Sequence, residues 1–358
     1  MRKLTAMVLA GIMACSFLSG CGGSKTATPQ STAKAAEEPA ASGDSGDMPK
    51  VTATLAIMLA PDHPQCISAQ NVLAKKVSEA TTGNFTIDVQ TNGALGSDAE
   101  TVEATIMGTM YMTGTSAATL ATVDPNWYIL DIPYVFTSKE QARDALDGKL
   151  GEYLSKSLEE TCGMICLGFG ESGMRNLSNN SKEITSPADL SGMKIRVLEN
   201  KYHLDTFQIL GANPTAMSFS EVYTAMQTKQ IDGQDNPITI TATNKFYEVQ
   251  KFYTKTEHMF CANTVTVNAE WFYSLPEEYQ KILRSAVGDM IKEQRRLIDE
   301  NEKSYIEEME KSGCKVTELT DAQKQEFVDA TQKIRDDFAA EFGEAGKTML
   351  ELAAEYQK

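Results

Sequence analysis

Apolar and polar positions alternate so that the chain from residue 51 onward divides into short strands separated by amphipathic helices. β-Branched or alternating runs predict strands at 51–59, 85–90, within 108–116, and at 163–169, 175–178, 193–198, 261–268 and 315–319. Helical spacing predicts helices at 64–80, 98–107, 139–146, 150–160, 201–210 and 220–229. Because strands alternate with helices, the pattern predicts an α/β fold with a largely parallel sheet covered on both faces.

The C-terminal third is predicted to be almost entirely helical. A long helix begins near 274–277 and runs past 300, with two shorter helices broken near Gly288 as the alternative. Thr320 opens the next helix through a capping box, and Ser186 starts a helical turn in a similar way. A helix that rises about 1.5 Å per residue over this length can cross two domains.

The N-terminal 20 residues have the pattern of a secretory signal peptide. A basic start precedes an apolar run at 4–17 that is too short to span a bilayer, and Leu18-Ser19-Gly20-Cys21 resembles a bacterial lipobox. We expect cleavage before Cys21 and lipid attachment at its thiol; an ordinary signal peptide with a chance cysteine is the alternative. Residues 21–50 contain no aromatic residue and predict a flexible tether.

The remaining chain, 51–358, is long enough for two domains and has no apolar run that would cross a membrane. The full sequence has 33 basic and 49 acidic residues, and removing Arg2 and Lys3 leaves 31 − 49 = −18. This acidity argues against nucleic acid or an anionic membrane surface as a partner. It does not exclude an anionic small molecule, because an acidic protein can contain a local cationic pocket.

Five cysteines remain beyond the signal peptide and Cys21: Cys66, Cys162, Cys166, Cys261 and Cys314. An odd number leaves at least one free thiol in a monomer, and any disulfide pairing stays open. Cys162 and Cys166 lie at or within the apolar run 163–169, which favours buried small hydrophobic residues over a metal or redox pair. We expect no metal site and no cofactor.

No catalytic motif stands out. The three histidines, His63, His203 and His258, are far apart, and the sequence contains no HExxH, no Gly-x-Ser-x-Gly elbow and no Gly-rich phosphate loop. We expect each histidine to take part in surface or loop packing. The sequence therefore predicts a binding protein rather than an enzyme.

Two arginines in apolar strand-like segments are the candidate binding residues. Arg196 lies at the end of one predicted strand, and Arg175 belongs to another. A strand end in an α/β protein faces a cleft, and a planar guanidinium matches a carboxylate. Burying it without an anion is unfavourable, so a bound organic acid is one hypothesis. Pairing with an internal acid is the other, and Asp189, Glu199 and Asp232 are available.

Several longer stretches carry the motifs of one family: Ala94-Leu-Gly-Ser-Asp98, Leu130-Asp-Ile-Pro-Tyr-Val-Phe136, Gly192-Met-Lys-Ile-Arg-Val197, Leu210-Gly-Ala-Asn-Pro214, the run from Phe219 to Asp232-Gly-Gln-Asp-Asn-Pro237, and Lys245-Phe-Tyr-Glu-Val-Gln-Lys251. Through them the chain from about residue 51 to its C terminus resembles the substrate-binding proteins of tripartite ATP-independent periplasmic (TRAP) transporters, the DctP-like family. The resemblance implies a two-domain periplasmic-binding-protein-like fold (type II-like), with a ligand cleft between the domains and a long C-terminal helix spanning them. Domain I would comprise 51–172 plus about 262–300, and domain II 173–261 plus about 301–358, with hinges near 172, 262 and 300.

The resemblance also implies ligand-binding residues. In the family, the arginine matching Arg196 clamps the substrate carboxylate and the asparagine matching Asn236 supports it. The residue matching Arg175 lies nearby and contacts the ligand in some members. The aromatic residue matching Phe219 lines the pocket wall, with core packing as the alternative for Phe219 here.

The chain departs from sialic-acid-binding members beside the clamp. Leu198 and Glu199 replace a Pro and an Asn, and the segment ending at Ser116 lacks an acid that those members have. Sialic acid is therefore not expected. Glu199 and Asn200 instead offer hydrogen-bonding groups that suit hydroxyls or an amine on the ligand, although a solvated loop acid is the alternative for Glu199.

These features predict an extracytoplasmic receptor, lipid-anchored in the periplasm or on the outer face of the membrane. We expect a monomer that binds a small organic acid, closes around it and delivers it to the membrane subunits of a TRAP permease. A ligand-sensing subunit of a signalling system with the same fold is the alternative. The ligand stays open among monocarboxylates, dicarboxylates, keto acids and sugar acids.

Overall fold

One mixed sheet runs through residues Met48–Tyr356, the part of the chain that the computed structural model describes. Its strand order is β2-β1-β3-β8-β4-β7-β5-β6, and β9 pairs with β8. The signal peptide, Cys21 and nearly all of the predicted tether lie outside the described residues. The strands are β1 (Val51–Ile57), β2 (Phe85–Gln90), β3 (Met112–Gly114), β4 (Met164–Asn179), β5 (Lys194–Val197), β6 (Asn213–Ala216), β7 (Gly233–Pro237), β8 (Phe252–Asn268) and β9 (Lys315–Glu318).

The prediction of a largely parallel sheet is right for the flanks and wrong for the centre. Strand β1 pairs in parallel with β2 and β3, and β5 does so with β6 and β7. The central pairs β3–β8, β8–β4 and β4–β7 are antiparallel. The carboxyl ends of the parallel strands on the two flanks border the cavities described below, as expected for an open α/β sheet.

Strands β4 and β8 are 16 and 17 residues long and join the two flanks. The sequence predicts two separate strands where β4 is one, because the polar and glycine-rich stretch around residue 172 has the composition of a break. Pairing continues through that stretch by a shift of register between Glu171 and Gly173, opposite Ala262 and Cys261. Gly173 has φ +103°, a conformation that favours glycine. The irregularity coincides with two of the predicted hinges.

Helices cover the sheet and mostly match the predicted segments. They are α1 (Pro64–Ser68), α2 (Lys75–Ala80), α3 (Asp98–Ile106), α4 (Ala117–Leu120), α5 (Lys139–Asp147), α6 (Lys149–Cys162), α7 (Lys201–Ile209), α8 (Val222–Gln227), α9 (Ile238–Thr243), α10 (Ala269–Ser274), α11 (Glu277–Lys311) and α12 (Asp321–Ala354). A π-helical segment, Ala69–Ala74, joins α1 to α2. Short 3-10 turns occupy Pro125–Asp131, Pro187–Leu190, Phe219–Glu221 and Phe246–Glu248.

The predicted long helix is confirmed. Helix α11 runs for 35 residues without a break at Gly288, and it packs against α1, β4 and α9. At about 1.5 Å per residue it extends for roughly 50 Å and spans both flanks of the sheet. The capping boxes at Ser186 and Thr320 are also present. Strand β6 and helices α4, α9 and α10 were not predicted; each is six residues or shorter, too short for periodicity to reveal.

Candidate ligand-binding site

Two adjacent chambers lie where the carboxyl ends of the flanking strands meet. They share the side chains of Met58, Asp98, Leu198 and Phe219. The first chamber, of about 70 Å³, also contains Arg196 and Glu199 together with Met217, Ser218 and residues of α4. The second, of about 30 Å³, contains Arg175 and Asn236 together with Ser116, Cys261 and Asn263.

The strand ends explain why these residues converge. Met58 follows β1, Leu198 follows β5, and Asn236 is the penultimate residue of β7. Arg175 lies on β4 opposite Pro237, so the antiparallel centre of the sheet forms the floor between the two flanks. Asp98 is the first residue of α3, behind a capping box made by Ser97 and Glu100. The site therefore receives groups from both flanks and from the centre.

Arg196 is buried without an ion-pair partner. Its side chain is among the largest that are fully buried, at 1% exposure. Nε and Nη2 both donate to the Met217 carbonyl oxygen, at 2.9 and 2.6 Å, and Nη1 has no hydrogen-bond partner among residues 48–356. Burial lowers the pKa of Arg196 to about 10, with Asp235 opposing and Arg175 reinforcing the shift. The guanidinium is still a cation at neutral pH, so it is held at the first chamber as a charge without a direct ion-pair partner among the described residues.

Arg175, in the second chamber, is compensated by Asp235. Its Nε donates to Asp235 Oδ2 at 2.6 Å, its Nη2 donates to the Asp235 carbonyl at 2.6 Å, and its Nη1 contacts Cys261 Sγ at 3.5 Å. Burial opposes ionisation of Asp235, yet the charge of Arg175 and a hydrogen bond from His258 hold the pKa of that carboxyl well below its usual value. Arg175 and Asp235 thus form a buried ion pair.

The prediction that the histidines take part in surface or loop packing is wrong for His203 and His258, which are buried in α7 and β8, whereas His63 is buried in the loop before α1. His258 donates from Nε2 to Asp235 Oδ2 at 3.3 Å, and His203 Nδ1 lies 3.8 Å from the same oxygen. His203 Nε2 also lies 3.1 Å from Asp131 Oδ1. Sequence could not show this because the three chain segments meet only in the folded sheet.

The third histidine, His63, connects to the second chamber. Its Nδ1 accepts from the backbone N–H of Gln65 and its Nε2 lies 3.1 Å from the hydroxyl of Ser172. That hydroxyl donates to Asn263 Oδ1 at 2.6 Å. Burial lowers the pKa of His63 to about 3, so the ring is neutral. With Nδ1 accepting, the ring proton lies on Nε2 and is donated to Ser172.

Asp98 is the charged residue of the site that sequence reasoning passed over. It lines both chambers and is only partly exposed. Burial raises the pKa of the Asp98 carboxyl to about 6, although Thr115 and the charge of Arg196 act in the opposite direction. No ion pair within 4.0 Å involves it in the described part of the chain. The available signal was its place in the motif Ala94-Leu-Gly-Ser-Asp98, where it counted only as the start of a helix.

Five of the six predicted ligand residues line the chambers: Arg196, Glu199 and Phe219 line the first, and Arg175, Asn236 and Phe219 the second. The sixth, Asn200, does not. Its Oδ1 accepts from Tyr202 N and His203 N, and its Nδ2 donates to Ala118 O and Asp131 Oδ2. The Asn200 amide caps α7 and has no capacity left for a ligand.

The cysteines in the described residues are free thiols. The prediction of buried small hydrophobic residues is confirmed for Cys166, which is buried in β4, and is wrong for Cys162, which ends α6 and is half-buried. Residues 48–356 contain no group of three or more His, Cys, Asp or Glu side chains that could hold a metal ion.

Residues 55–341 match the family model described as bacterial extracellular solute-binding protein, family 7 (DctP). The chain belongs to this family. Family 7 proteins with similar sequences include the 2,3-diketo-L-gulonate-binding periplasmic protein YiaO of Escherichia coli (strain K12). It is 33% identical over 294 residues, which cover 81% of this chain and 88% of YiaO.

Solved structures of the family have the same fold. The sugar acid binding protein DctPAm from Advenella mimigardefordensis, in complex with galactonate, gives a TM-score of 0.83 at 29% identity, covering 87% of this chain and 100% of that chain. A TRAP periplasmic solute binding protein from Shewanella oneidensis with bound succinate gives 0.81 at 25% identity, covering 86% and 100%.

The chain is therefore a TRAP solute-binding protein of the DctP-like family, with the two-domain α/β fold of that family. Such proteins are extracytoplasmic receptors for small organic acids and are not enzymes. In the described residues, none of the helices is both long enough and apolar enough to cross a bilayer.

Proposed function

We propose that Arg196 clamps the carboxylate of a small organic acid and that the loaded protein delivers this acid to a TRAP permease. The observation that carries the proposal is the buried guanidinium of Arg196, which has an unpartnered Nη1 and no ion-pair partner among the described residues. An unpaired buried charge is unfavourable, and a carboxylate would compensate it through charge-assisted hydrogen bonds. The galactonate and succinate of the related structures both carry a carboxylate, which supports an acid as the ligand.

Phe219, Glu199, Asn236 and Arg175 are proposed to complete the site. Phe219 lies between the chambers and packs on Phe246, with ring centroids 5.9 Å apart. Its ring would exclude water from the ion pair at Arg196 and so strengthen it. Asn236 donates its amide to Gln234 Oε1, which fixes the orientation of that amide beside the second chamber.

Ligand entry requires the cleft to widen, because Arg196 is only 1% exposed. We place the hinge at the irregular pairing of β4 with β8 around Gly173 and at the return of the chain near residues 262 and 300. The domains are 51–172 with about 262–300, and 173–261 with about 301–358. Contacts from both flanks would favour the closed form in proportion to the ligand's preference for it.

Delivery involves the part of the chain outside the described residues. Acylation at Cys21 would hold a monomeric receptor at the membrane, and the tether would raise its effective concentration near the permease. The closed receptor would be the form that the permease recognises.

Calorimetry with a library of organic acids tests the clamp, using wild-type protein and Arg196→Ala. We expect binding by wild type and at least about thirtyfold weaker binding by the variant, since a buried charge pair loses about 2–5 kcal/mol when one partner is truncated. Equal affinity in the two proteins would contradict the clamp. Uptake of the bound acid into vesicles containing the permease, with and without the receptor, tests delivery.

A further inference from the structure

We propose that the ligand is a hydroxylated monocarboxylate, whose carboxylate binds Arg196 and whose hydroxyl-bearing chain fills the second chamber between Asp98 and Asn263. This inference rests on the proposed clamp and extends it from an organic acid to one chemical class. It excludes dicarboxylates and unsubstituted fatty acids as the preferred ligands.

The first step is the count of charges that a ligand would meet. The site contains two buried arginines, but Asp235 already neutralises Arg175 through a contact of 2.6 Å. Of the two, only Arg196 has no direct ion-pair partner among the described residues. One ligand carboxylate therefore has one unpaired guanidinium to bind, and a second one would find no free cation in the Arg175 chamber and would add to the negative charge of Asp98 and Glu199.

The second step is the placement of Asp98. It lines both chambers, so it lies along any ligand that extends from Arg196 toward Arg175. An ionised carboxylate accepts hydrogen bonds and repels a like charge. A ligand hydroxyl can donate a hydrogen bond to Asp98, whereas a second ligand carboxylate would be repelled by it. Asp98 thus favours a hydroxyl and disfavours an acid at the same position.

The third step is the amide of Asn263. Ser172 accepts the proton of His63 Nε2 and donates its own to Asn263 Oδ1, so the amide oxygen of Asn263 is committed. Asn263 borders the second chamber, and its Nδ2 makes no hydrogen bond to other groups in residues 48–356. The relay from His63 through Ser172 therefore leaves the donor end of Asn263 available.

The second chamber thus combines an acceptor, Asp98, with a donor, Asn263. A carboxylate can only accept and an alkyl chain can do neither, but a hydroxyl group does both. Leaving either buried group unpaired weakens binding strongly, and this is how such sites reject analogues that lack the hydroxyl. Polar matching, rather than chamber size, selects the class.

A matched six-carbon series tests the proposal on the purified protein. Gluconate, hexanoate and glucarate differ in one feature each: hexanoate lacks the hydroxyls, and glucarate has a second carboxylate in place of the terminal hydroxymethyl group. The four-carbon set threonate, butyrate and tartrate repeats the comparison at shorter length. Thermal-shift and calorimetric titrations would include the diastereomers of each hydroxylated acid from three to seven carbons.

We expect at least one hydroxylated monocarboxylate to bind ten times or more tightly than its deoxy analogue and than its dicarboxylate analogue. Tighter binding of any dicarboxylate or unsubstituted acid than of every hydroxylated monocarboxylate would overturn the proposal. Absence of binding by the whole hydroxylated class would do so too. If Arg196→Ala abolishes binding of a preferred dicarboxylate, the clamp stands and this inference fails.

The variant Asp98→Asn tests whether Asp98 determines the preference for a hydroxylated monocarboxylate over a dicarboxylate. The isosteric amide removes the charge, so the ratio of dicarboxylate to hydroxylated monocarboxylate affinity should rise by tenfold or more. Circular dichroism and melting curves would establish that the variant is folded. An unchanged ratio in a folded variant would contradict the role of Asp98, whatever the effect on absolute affinity.

Discussion

The two buried arginines of this protein have the same chemistry and opposite surroundings. Arg175 lies against Asp235, inside a cluster that also holds His203 and His258, and belongs to the internal electrostatics of the sheet. Arg196 donates two hydrogen bonds to a neutral carbonyl, that of Met217, and has no ion-pair partner among the described residues. A buried arginine therefore indicates a ligand site only when the fold itself does not supply the anion.

This difference also separates stability from function within one cleft. An internal ion pair contributes to the folded state only while both partners are present, because a lone survivor is a buried uncompensated charge. An unpaired arginine imposes such a penalty in the free protein and is relieved by the ligand.

The largest expected effect is on folding stability. Arg175→Met should lower the free energy of unfolding by about 3–5 kcal/mol, because it leaves the buried Asp235 carboxylate without its arginine and with only His258 and His203 beside it. Arg196→Met, the matched control, should not lower that free energy, because relief of a buried cation without an ionic partner offsets the loss of its hydrogen bonds to Met217. Urea titrations of the two ligand-free variants measure both values. Equal destabilisation by the two substitutions would remove the basis of the comparison.

The next effect is on affinity at the unpaired arginine. Arg196→Lys keeps the positive charge but loses the planar guanidinium. That group donates to the Met217 carbonyl and, in the proposed clamp, would also donate to the ligand carboxylate. We expect about 2 kcal/mol of binding free energy to be lost, close to thirtyfold in affinity. Calorimetry with the best ligand of wild type measures it. Full retention of affinity would indicate that charge alone, rather than geometry, holds the acid.

Asp98 should oppose stability in the free protein. Its pKa is raised from 3.8 to about 6 by burial, so the folded state binds a proton more tightly than the unfolded state does. The contribution of Asp98 to the free energy of unfolding is therefore most favourable below about pH 4, where the carboxyl is protonated, and this contribution is lost as the pH rises through about 6. Asp98→Asn should stabilise the ligand-free protein by about 1–2 kcal/mol at pH 7 and by less at pH 4. A stabilisation independent of pH would point to another cause.

The same residue predicts how selectivity depends on pH. As the pH falls through about 6, Asp98 gains a proton, which weakens its repulsion of a second ligand carboxylate. The ratio of gluconate to glucarate affinity should therefore narrow between pH 7.5 and 5.5. Arg196 and Glu199 are the other charged residues of the first chamber. They act on the carboxylate that gluconate and glucarate have in common, so their effects largely cancel in that ratio. Titrations at the two pH values, repeated with Asp98→Asn, measure it, and the variant should show no narrowing.

Local features of the fold could be predicted from the sequence, and long-range ones could not. Helix α11 and the caps at Ser186 and Thr320 depend on residues a few positions apart, and they were predicted correctly. The antiparallel centre was missed because the pairing of β4 with β8 joins segments about 90 residues apart, and nothing in either segment specifies its partner. The bulge at Gly173 made one strand resemble two.

The site shows the same limit. Pattern alone made both arginines candidates and favoured Arg196 over Arg175, but neither the pattern nor the family resemblance showed which of them had an internal partner. The candidate acids named from sequence were Asp189, Glu199 and Asp232, but the partner of Arg175 is Asp235 on the adjacent strand. Asn200 was placed in the site because it follows the clamp in sequence, yet the turn into α7 directs its amide into the helix cap.

The smallest predicted effect concerns the relay that orients Asn263. Ser172→Ala removes the hydroxyl that accepts from His63 and donates to Asn263, so the Asn263 amide is free to turn. One hydrogen bond of this kind contributes about 1 kcal/mol, which corresponds to roughly fivefold weaker binding of a hydroxylated ligand. Ser68→Ala is the matched control: Ser68 is also fully buried, but its hydroxyl has no hydrogen-bond partner in residues 48–356. Loss of a buried hydroxyl is common to both variants, so a decrease in affinity confined to Ser172→Ala isolates the relay. An equal decrease in both would mean that packing near the centre of the sheet, rather than the orientation of Asn263, controls the second chamber.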